Sequence, residues 1–263
     1  MCVNLILLME SRGVFDPPQI ARFLQIGRIP AMVRAEGDIM TDRYVALDAI
    51  YDARWSCRAF KPDAVAEKAV SQIVRLAQKA PSWCNAQPWQ ITVTRGAETE
   101  RFRSALKAEV ASGAPKPDLD FPTTYSGAYQ ERRRTCGWQL YEAVGVQKGD
   151  RAGSARQMMR NYDLFDAPHV AILTSPAELG AYGAMDCGGF VTAFTTAAAS
   201  LGVATIAQAA IAAYSPFVRT HFDLPDDRLV LCAISFGYPD LDHPSNGFRT
   251  ERAALGDVID WRG

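Results

Sequence analysis

The sequence predicts an α+β protein, because helical and strand-like patterns mix without the strict strand–helix alternation of a doubly wound sheet. Three short runs, residues 89–94, 169–174 and 229–235, alternate in period two or are continuously apolar, which indicates strands. Apolar residues three and four positions apart between Val65 and Ala80 indicate a helix. Apolar residues make up 48% of the chain and charged residues 22%, which provides enough apolar surface for a folded core.

The ordered domain is predicted to begin at residue 41. Thr41 and Asp42 are good helix N-caps and precede an apolar run at residues 44–51. Residues 1–40 differ from the rest, since they contain prolines and show no sustained period. They are predicted to be either a loosely ordered N-terminal extension or a mis-assigned start, so the expected division is 1–40 and 41–263.

Helices and loops follow in order after this start. Pro81 ends the helix over residues 65–80, and a second helix is predicted at 98–110. Prolines and a glycine in residues 111–124 indicate a loop, and two helical stretches are expected between residues 125 and 162. Aromatic residues of this region suit either a lid over a flat substrate or ordinary helix packing: Phe121, Tyr125, Tyr129, Trp138 and Tyr141.

A long stretch without charge runs from Cys187 to Val218. It could span a bilayer by length, but it is rich in Ala and Thr and contains Pro216. A buried helix is favoured instead, opening at Gly188, ending near Gly202 and followed by a buried strand or loop. A helix of this kind lies inside a large core or a subunit interface.

Composition and missing motifs exclude several classes of function. The net charge of −1 argues against bulk electrostatic binding of nucleic acid. The six cysteines are scattered without a C-x-x-C pair, so reduced thiols in a cytoplasmic protein are expected rather than a disulfide scaffold or a zinc site. The G-x-G-x-x-G, Walker A, G-x-S-x-G and H-E-x-x-H motifs do not occur, and no metal is expected.

Three separated segments contain the residue types of a ligand site. Arg54-Trp55-Ser56-Cys57-Arg58 brings two guanidiniums and a hydroxyl together, which suits a phosphate or a polarised heterocycle, or else a solvated basic turn. Residues 80–89 include two amides, Asn85 and Gln87, which suit the mixed donor–acceptor edge of a flavin or a base, or else a capped turn. By composition alone, residues 186–214 indicate a core helix.

The order of these segments is more specific than any one of them. The chain contains R-x-S-x-R-x-F, then A-P-S-x-x-N-x-Q-P-W, an apolar helix ending in L-G-V, a strand ending in G-Y-P and an arginine-bearing tail. Over residues 41–262 it resembles the nitroreductase family of FMN enzymes. The phrases Asp166-Ala167-Pro168-His169 and Arg249-Thr250-Glu251-Arg252 are most similar to bacterial reductases of nitrobenzoates and dinitroanilines. The resemblance implies a nitroreductase-like fold, with a central, mostly antiparallel sheet flanked by helices, in an intertwined homodimer with FMN at the interface.

The resemblance also implies which residues bind FMN. Residues 54–58 would line its phosphate, ribityl chain and pyrimidine edge, with the tail arginines completing the phosphate site. Loop 81–85 would come from the other subunit, beside the ring system, and residues 207–210 would pass next to the isoalloxazine with a backbone N–H near N5. Arg160 is a candidate for facing the pyrimidine carbonyls, and no catalytic side chain is implied. The expected cofactor-binding residues are Arg54, Trp55, Ser56, Arg58, Pro81, Ser82, Trp83, Asn85, Ala207, Gln208, Ala209, Ala210, Arg249 and Arg252.

The implied activity is a ping-pong reduction of nitroaromatic compounds, nitro through nitroso to hydroxylamine, with NADPH or NADH as the hydride donor. Two alternatives stay open: another reductase of the same fold, acting on quinones, flavins, enones or organohalides, and a non-catalytic flavin-binding redox sensor. Two departures bear on the substrate, since Trp83 stands where the family often has Ser, and Ala209-Ala210 where many relatives have Glu or Gly. The expected partners are a second copy of the chain and a small aromatic electron acceptor, with neither nucleic acid nor membrane.

Overall fold

A four-stranded sheet lies at the centre of the computed structural model, which describes residues 41–263; the predicted N-terminal extension, residues 1–40, lies outside the described residues. The strands are β1 (Gln90–Val93), β2 (His169–Pro176), β3 (Ala204–Gln208) and β4 (Arg228–Gly237). Their order is β1-β2-β4-β3, and every neighbouring pair is antiparallel. The predicted strands and the mostly antiparallel sheet are therefore confirmed.

Helices flank this sheet, which confirms the α+β class. The predicted helices at 65–80 and 98–110 are present with slightly shifted ends, and two helices occur between residues 125 and 162 as expected. The helices of the described range are α1 (Asp42–Ala53), α2 (Glu67–Ala77), α3 (Ala97–Ser112), α4 (Gly127–Ala143), α5 (Arg151–Met159), α6 (Gly180–Ser200), α7 (Ala209–Ala212) and α8 (Ser215–Phe222).

The inner strands are buried on both faces, which explains why their sequences are continuously apolar. On one face, Ala171 and Leu173 of β2 belong to a core cluster with Phe190 of α6. On the other face, the alternate residue Val170 belongs to a second cluster with Phe102 of α3. The sheet therefore separates two cores, one under α2 and α6 and one under α3 and α8.

Helix α6 differs from the prediction at its N-terminal end. It begins at Gly180 rather than Gly188, so it includes Asp186 and is not free of charge. The predicted C-terminal end of the helix, near Gly202, is confirmed, since α6 ends at Ser200. Gly202 has a φ of 72°, which favours glycine, and the chain then enters the largely buried strand β3. The expectation that this helix contains no charged residue was therefore wrong.

Segment 54–58 extends the sheet beyond β3. Ser56 forms a parallel bridge with Thr205, and the Cys57 N–H donates to the Thr205 carbonyl at 3.0 Å. Phe60 forms an antiparallel bridge with Pro239, directly after β4. These pairings bring the arginine segment next to β3 and next to the chain that follows β4.

Residues 46–263 form one compact unit, while the division between residues 40 and 41 stays a prediction. No helix of the described range is long and apolar enough to cross a membrane.

Candidate functional site

The turn after β4 is attached to the backbone of segment 54–58. The Arg58 N–H donates to Asn246 Oδ1 at 2.8 Å, and Ser245 Oγ donates to the Arg58 carbonyl at 3.1 Å. Asn246 Nδ2 in turn donates to the carbonyls of Ala59 and Asp240, at 2.9 Å and 2.7 Å. Sequence analysis did not select Ser245 or Asn246, because their role depends on a contact between distant parts of the chain.

Two arginines belong to the segments joined here, and carbonyls and aromatic rings orient both guanidiniums. Arg58 donates to the Ser56 carbonyl at 3.1 Å and lies 5.6 Å from the centre of the Phe248 ring. Arg249 donates to the carbonyls of Asn246 and Phe248 and lies 4.1 Å from the centre of the Trp55 ring. The site therefore brings Trp55, Ser56, Arg58 and Arg249 together.

The charges of these two arginines are not neutralised within the chain. Among residues 41–263, neither Arg58 nor Arg249 forms an ion pair with a carboxylate. Burial lowers the pKa of the Arg58 guanidinium below its usual range, which reflects the cost of taking an unpaired cation out of water. Forked cationic donors in this condition are suited to bind an anion such as a phosphate.

The other predicted arginines are arranged differently. Arg54 is half-buried at the end of α1, and its backbone N–H donates to the Tyr51 carbonyl at 3.2 Å. Arg252 is exposed, and its guanidinium donates to the Thr250 and Glu251 carbonyls of its own tail. The Arg252 guanidinium therefore donates within its own tail and does not belong to the group of residues around Arg58.

Arg160 is already paired, in contrast to Arg58. Its guanidinium lies 2.6 Å from Asp166, and it also pairs with Asp163. The hydrogen bond from Arg160 lowers the pKa of the Asp166 carboxyl below its ordinary value. Because its charge is neutralised in this way, Arg160 is a weaker candidate for binding a ligand than the sequence pattern suggested.

The end of β3 offers an open backbone edge. Ala207 and Ala209 are exposed, whereas Gln208 between them is buried. The Gln208 amide is used internally, because Ser235 Oγ donates to its Oε1 at 2.6 Å and its Nε2 donates to the Asn161 carbonyl at 2.8 Å. Residues 207–210 can therefore meet a flat ligand with backbone and small side chains, while the Gln208 side chain holds the strand in position.

Loop 81–85 lies on a different support from segment 54–58. Trp83–Asn85 forms a 3₁₀ turn whose Trp83 N–H donates to Asp186 of α6, and Trp83 is 64% exposed. Within the described residues, no hydrogen bond joins this loop to segment 54–58. Apart from Arg54 and Arg252, the predicted binding residues thus fall into two groups. One comprises Trp55, Ser56, Arg58 and Arg249 with residues 207–210 of the neighbouring strand, and the other is formed by Pro81, Ser82, Trp83 and Asn85.

Fold and site together define an α+β protein in which two arginines without a carboxylate partner among the described residues lie beside the edge strand β3 of an antiparallel sheet. A sequence model of the nitroreductase family matches residues 51–238. The match covers more than half of the chain, and the chain belongs to the nitroreductase family. The resemblance seen in the sequence is confirmed.

Several family members are similar over most of the chain. Nitroreductase NfnB of Mycolicibacterium smegmatis is 33% identical over 221 residues, which cover 81% of this chain and 91% of that protein. 4-Nitrobenzoate reductase of Pseudomonas putida is 32% identical over 216 residues, or 81% of this chain and 93% of that protein. The crystal structure of the FMN-dependent nitroreductase NfnB from Mycobacterium smegmatis in complex with NADPH has a TM-score of 0.81 at 31% identity, covering 84% of this chain and all (100%) of that one.

Proposed function

We propose that this chain is an FMN-dependent oxidoreductase that uses NADPH or NADH to reduce nitroaromatic compounds in a ping-pong reaction. The observation that supports this most is the pair of guanidiniums, Arg58 and Arg249, that no carboxylate of the described residues neutralises. The relatives support the same activity, since one is named 4-nitrobenzoate reductase and one solved structure is described as FMN-dependent and in complex with NADPH.

The cleft residues fit FMN. Its phosphate needs a cationic, forked donor, which Arg249 supplies, and Arg58 supplies a second one for the pyrimidine edge of the ring. The other polar groups of segment 54–58 suit the ribityl hydroxyls. Its flat ring needs an open edge without bulky side chains, which the exposed Ala207 and Ala209 supply. When bound, FMN supplies the two-electron chemistry that connects a nicotinamide with a nitro group.

The residues of the chain would bind, orient and stabilise charge. Each two-electron step consumes one NAD(P)H and one proton, so a nitro group becomes a nitroso group with loss of water, and the nitroso group becomes a hydroxylamine. Arg58 would stabilise negative charge that develops at the cleft, because a partly desolvated cation acts more strongly there than in water. No side chain is assigned as an acid or base, and we infer that protons come from solvent.

We propose further that the active form is a homodimer in which loop 81–85 completes the partner's cleft. Helix α1 exposes Leu47 and Tyr51, and an apolar groove with a cavity volume of ≈ 480 Å³ lies between α1, α2 and α6. Thr196 Oγ1 lines this groove and is buried without a hydrogen-bond partner among the described residues. Large apolar side chains exposed beside an apolar groove are suited to a subunit interface.

The C-terminal segment supports the same proposal. Leu255, Val258 and Trp261 are large apolar side chains, and each is at least 74% exposed. A chain end with this composition gains free energy when it packs against a second copy of the protein. We therefore expect the tail to contribute to the dimer.

We place the protein in the cytoplasm, where thiols stay reduced. The cysteines of the described residues are all free: Cys57, Cys84, Cys136, Cys187 and Cys232.

Titration of flavin-free protein with FMN, followed by turnover assays, tests the proposal. We expect stoichiometric FMN binding and NADPH- or NADH-dependent reduction of 4-nitrobenzoate that exceeds the reduction of quinones and enones. Faster turnover of a quinone or an enone would favour the alternative reductases of the same fold, and FMN binding without turnover of any acceptor would favour a redox sensor. Sedimentation velocity tests the dimer separately, and a monomer at assay concentration would contradict the shared cleft.

A further inference from the structure

Asp186 is the one charged residue of α6. Its two carboxylate oxygens lie 3.1 Å and 3.0 Å from the backbone nitrogen of Trp83, which donates to them. Among the residues that the structure describes, the Asp186 carboxylate forms no ion pair. The hydrogen-bond partner of this carboxylate lies in loop 81–85 and not in α6, which indicates that Asp186 acts on the loop.

The loop that Asp186 contacts has a strained backbone. Cys84, Asn85 and Gln87 have φ angles of 49°, 56° and 48°, although none of them is glycine. Backbone conformations of this kind persist where surrounding contacts hold them. Inside the loop, Ser82 Oγ accepts a hydrogen bond from the Gln87 N–H at 3.0 Å.

Arg228 of β4 holds the other end of the loop. It is buried, and its Nη2 donates to the Pro88 carbonyl at 2.9 Å and to the Thr174 carbonyl at 3.0 Å. Its Nε donates to Thr174 Oγ1 at 2.8 Å. One charged side chain from α6 and one from β4 therefore hold the two ends of residues 82–88.

We propose that Asp186 is a positioning residue, whose carboxylate fixes the backbone of Trp83 and thereby the orientation in which residues 82–88 meet the flavin and the aromatic acceptor. The proposal rests on the proposed function, in which loop 81–85 lines the cleft. The Trp83 ring lies 5.2 Å from the ring of Tyr182, which is exposed one turn before Asp186 on α6. Helix α6 thus holds both the backbone and the ring of Trp83, and loss of the carboxylate releases the backbone alone.

Matched variants separate the hydrogen-bond acceptor from the shape of the side chain. Asp186→Asn keeps an oxygen acceptor, whereas Asp186→Leu keeps the shape and removes every acceptor. Leucine suits the apolar composition of α6, and Asp186→Ala is a second acceptor-free variant should the leucine variant not fold. Glu178→Gln, at an exposed carboxylate just before α6, is the control.

Hydrogen–deuterium exchange of a peptide covering residues 82–88, in the protein as purified, measures the loop directly. Because a hydrogen bond to a charged group is lost, exchange in Asp186→Leu is expected to be faster by roughly tenfold, with β2 unchanged. In the flavin-loaded enzyme, kcat/KM for 4-nitrobenzoate is expected to fall by a similar factor, mainly through KM, while flavin reduction by NADPH changes less. In Asp186→Asn, both the exchange rate of residues 82–88 and kcat/KM are expected to stay within about threefold of wild type. Glu178→Gln is expected to equal wild type in both.

Wild-type exchange of residues 82–88 in the acceptor-free variants would overturn the proposal. Equal acceleration in β2 would also overturn it, because that would show general loosening rather than release of the loop. A wild-type protein that reduces no nitroarene would refute the proposed function instead, and the exchange measurement would still decide whether Asp186 holds the loop.

Discussion

Replacement of Arg58 by Met is expected to weaken FMN binding without destabilising the folded protein. Methionine keeps the apolar stem and removes the charge, which is half-buried and unpaired within the described residues. A hydrogen bond to a charged group contributes about 1.5–3 kcal/mol. Since about 1.4 kcal/mol corresponds to tenfold in Kd, we expect FMN affinity to fall by roughly 10- to 100-fold.

The flavin-free protein should not be destabilised by the same change. Removal of a partly buried cation without a carboxylate partner relieves a desolvation cost, and this offsets the lost hydrogen bond to the Ser56 carbonyl. The free energy of unfolding is therefore expected to stay constant or rise by up to about 1 kcal/mol. Arg219 is the matched control, because it is likewise partly buried but forms an ion pair with Asp118. Arg219→Met leaves that carboxylate unpaired and is expected to lower the free energy of unfolding by about 3 kcal/mol, with FMN affinity unchanged.

FMN fluorescence quenching gives Kd, and urea unfolding of the flavin-free proteins gives stability. Arg58→Met with a Kd within about threefold of wild type would refute the assignment of Arg58 to the cofactor. Loss of stability equal to that of Arg219→Met would show that Arg58 is a structural residue.

The remaining predictions concern stability and acceptor choice. Burial raises the pKa of Cys57 to about 12, so the folded thiol keeps its proton while the unfolded thiol ionises from about pH 9. The free energy of unfolding therefore falls above that pH, by up to about 1.4 kcal/mol per pH unit. Urea midpoints at about pH 8 and about pH 10 measure this loss, and the loss should be smaller in Cys57→Ala. Arg228→Met removes the donor of the Pro88 carbonyl and of Thr174 Oγ1, and should lower the free energy of unfolding by about 2–4 kcal/mol; an unchanged urea midpoint contradicts this. Trp83→Ser should leave stability within about 0.5 kcal/mol but change KM for nitroaromatic acceptors, and unchanged KM values across a panel would remove Trp83 from the cleft.

The main elements of the fold could be predicted because local pattern determines them. Strands β2 and β4 are buried on both faces and are continuously apolar, and Pro81 follows the end of α2. The start of α6 was missed because the helix was expected to begin inside the charge-free stretch that follows Asp186. Its partner, the Trp83 N–H, lies 103 positions away in the sequence, so no local pattern reveals why a charged residue belongs in that helix.

The candidate site could be predicted only in part, for the same reason. The R-x-S-x-R segment was selected from its donors, but the contact that fixes it, from Arg58 to Asn246, spans 188 positions. Gln208 was selected as a ligand-binding residue, whereas its amide is used by Ser235 and Asn161 inside the fold. A sequence motif shows which hydrogen-bonding side chains a segment contains. Contacts between distant parts of the chain determine which of those side chains stay available to a ligand.

The visible absorption spectrum of the purified protein, before and after anaerobic addition of NADPH, tests most directly whether the cleft holds a flavin that accepts hydride. We expect a flavin band that bleaches with NADPH and returns on addition of 4-nitrobenzoate. A flavin band that does not bleach would favour a storage or sensor protein. A colourless protein that takes up no added FMN would contradict the assignment of Arg58, Arg249 and Ala207–Ala210 to the cofactor.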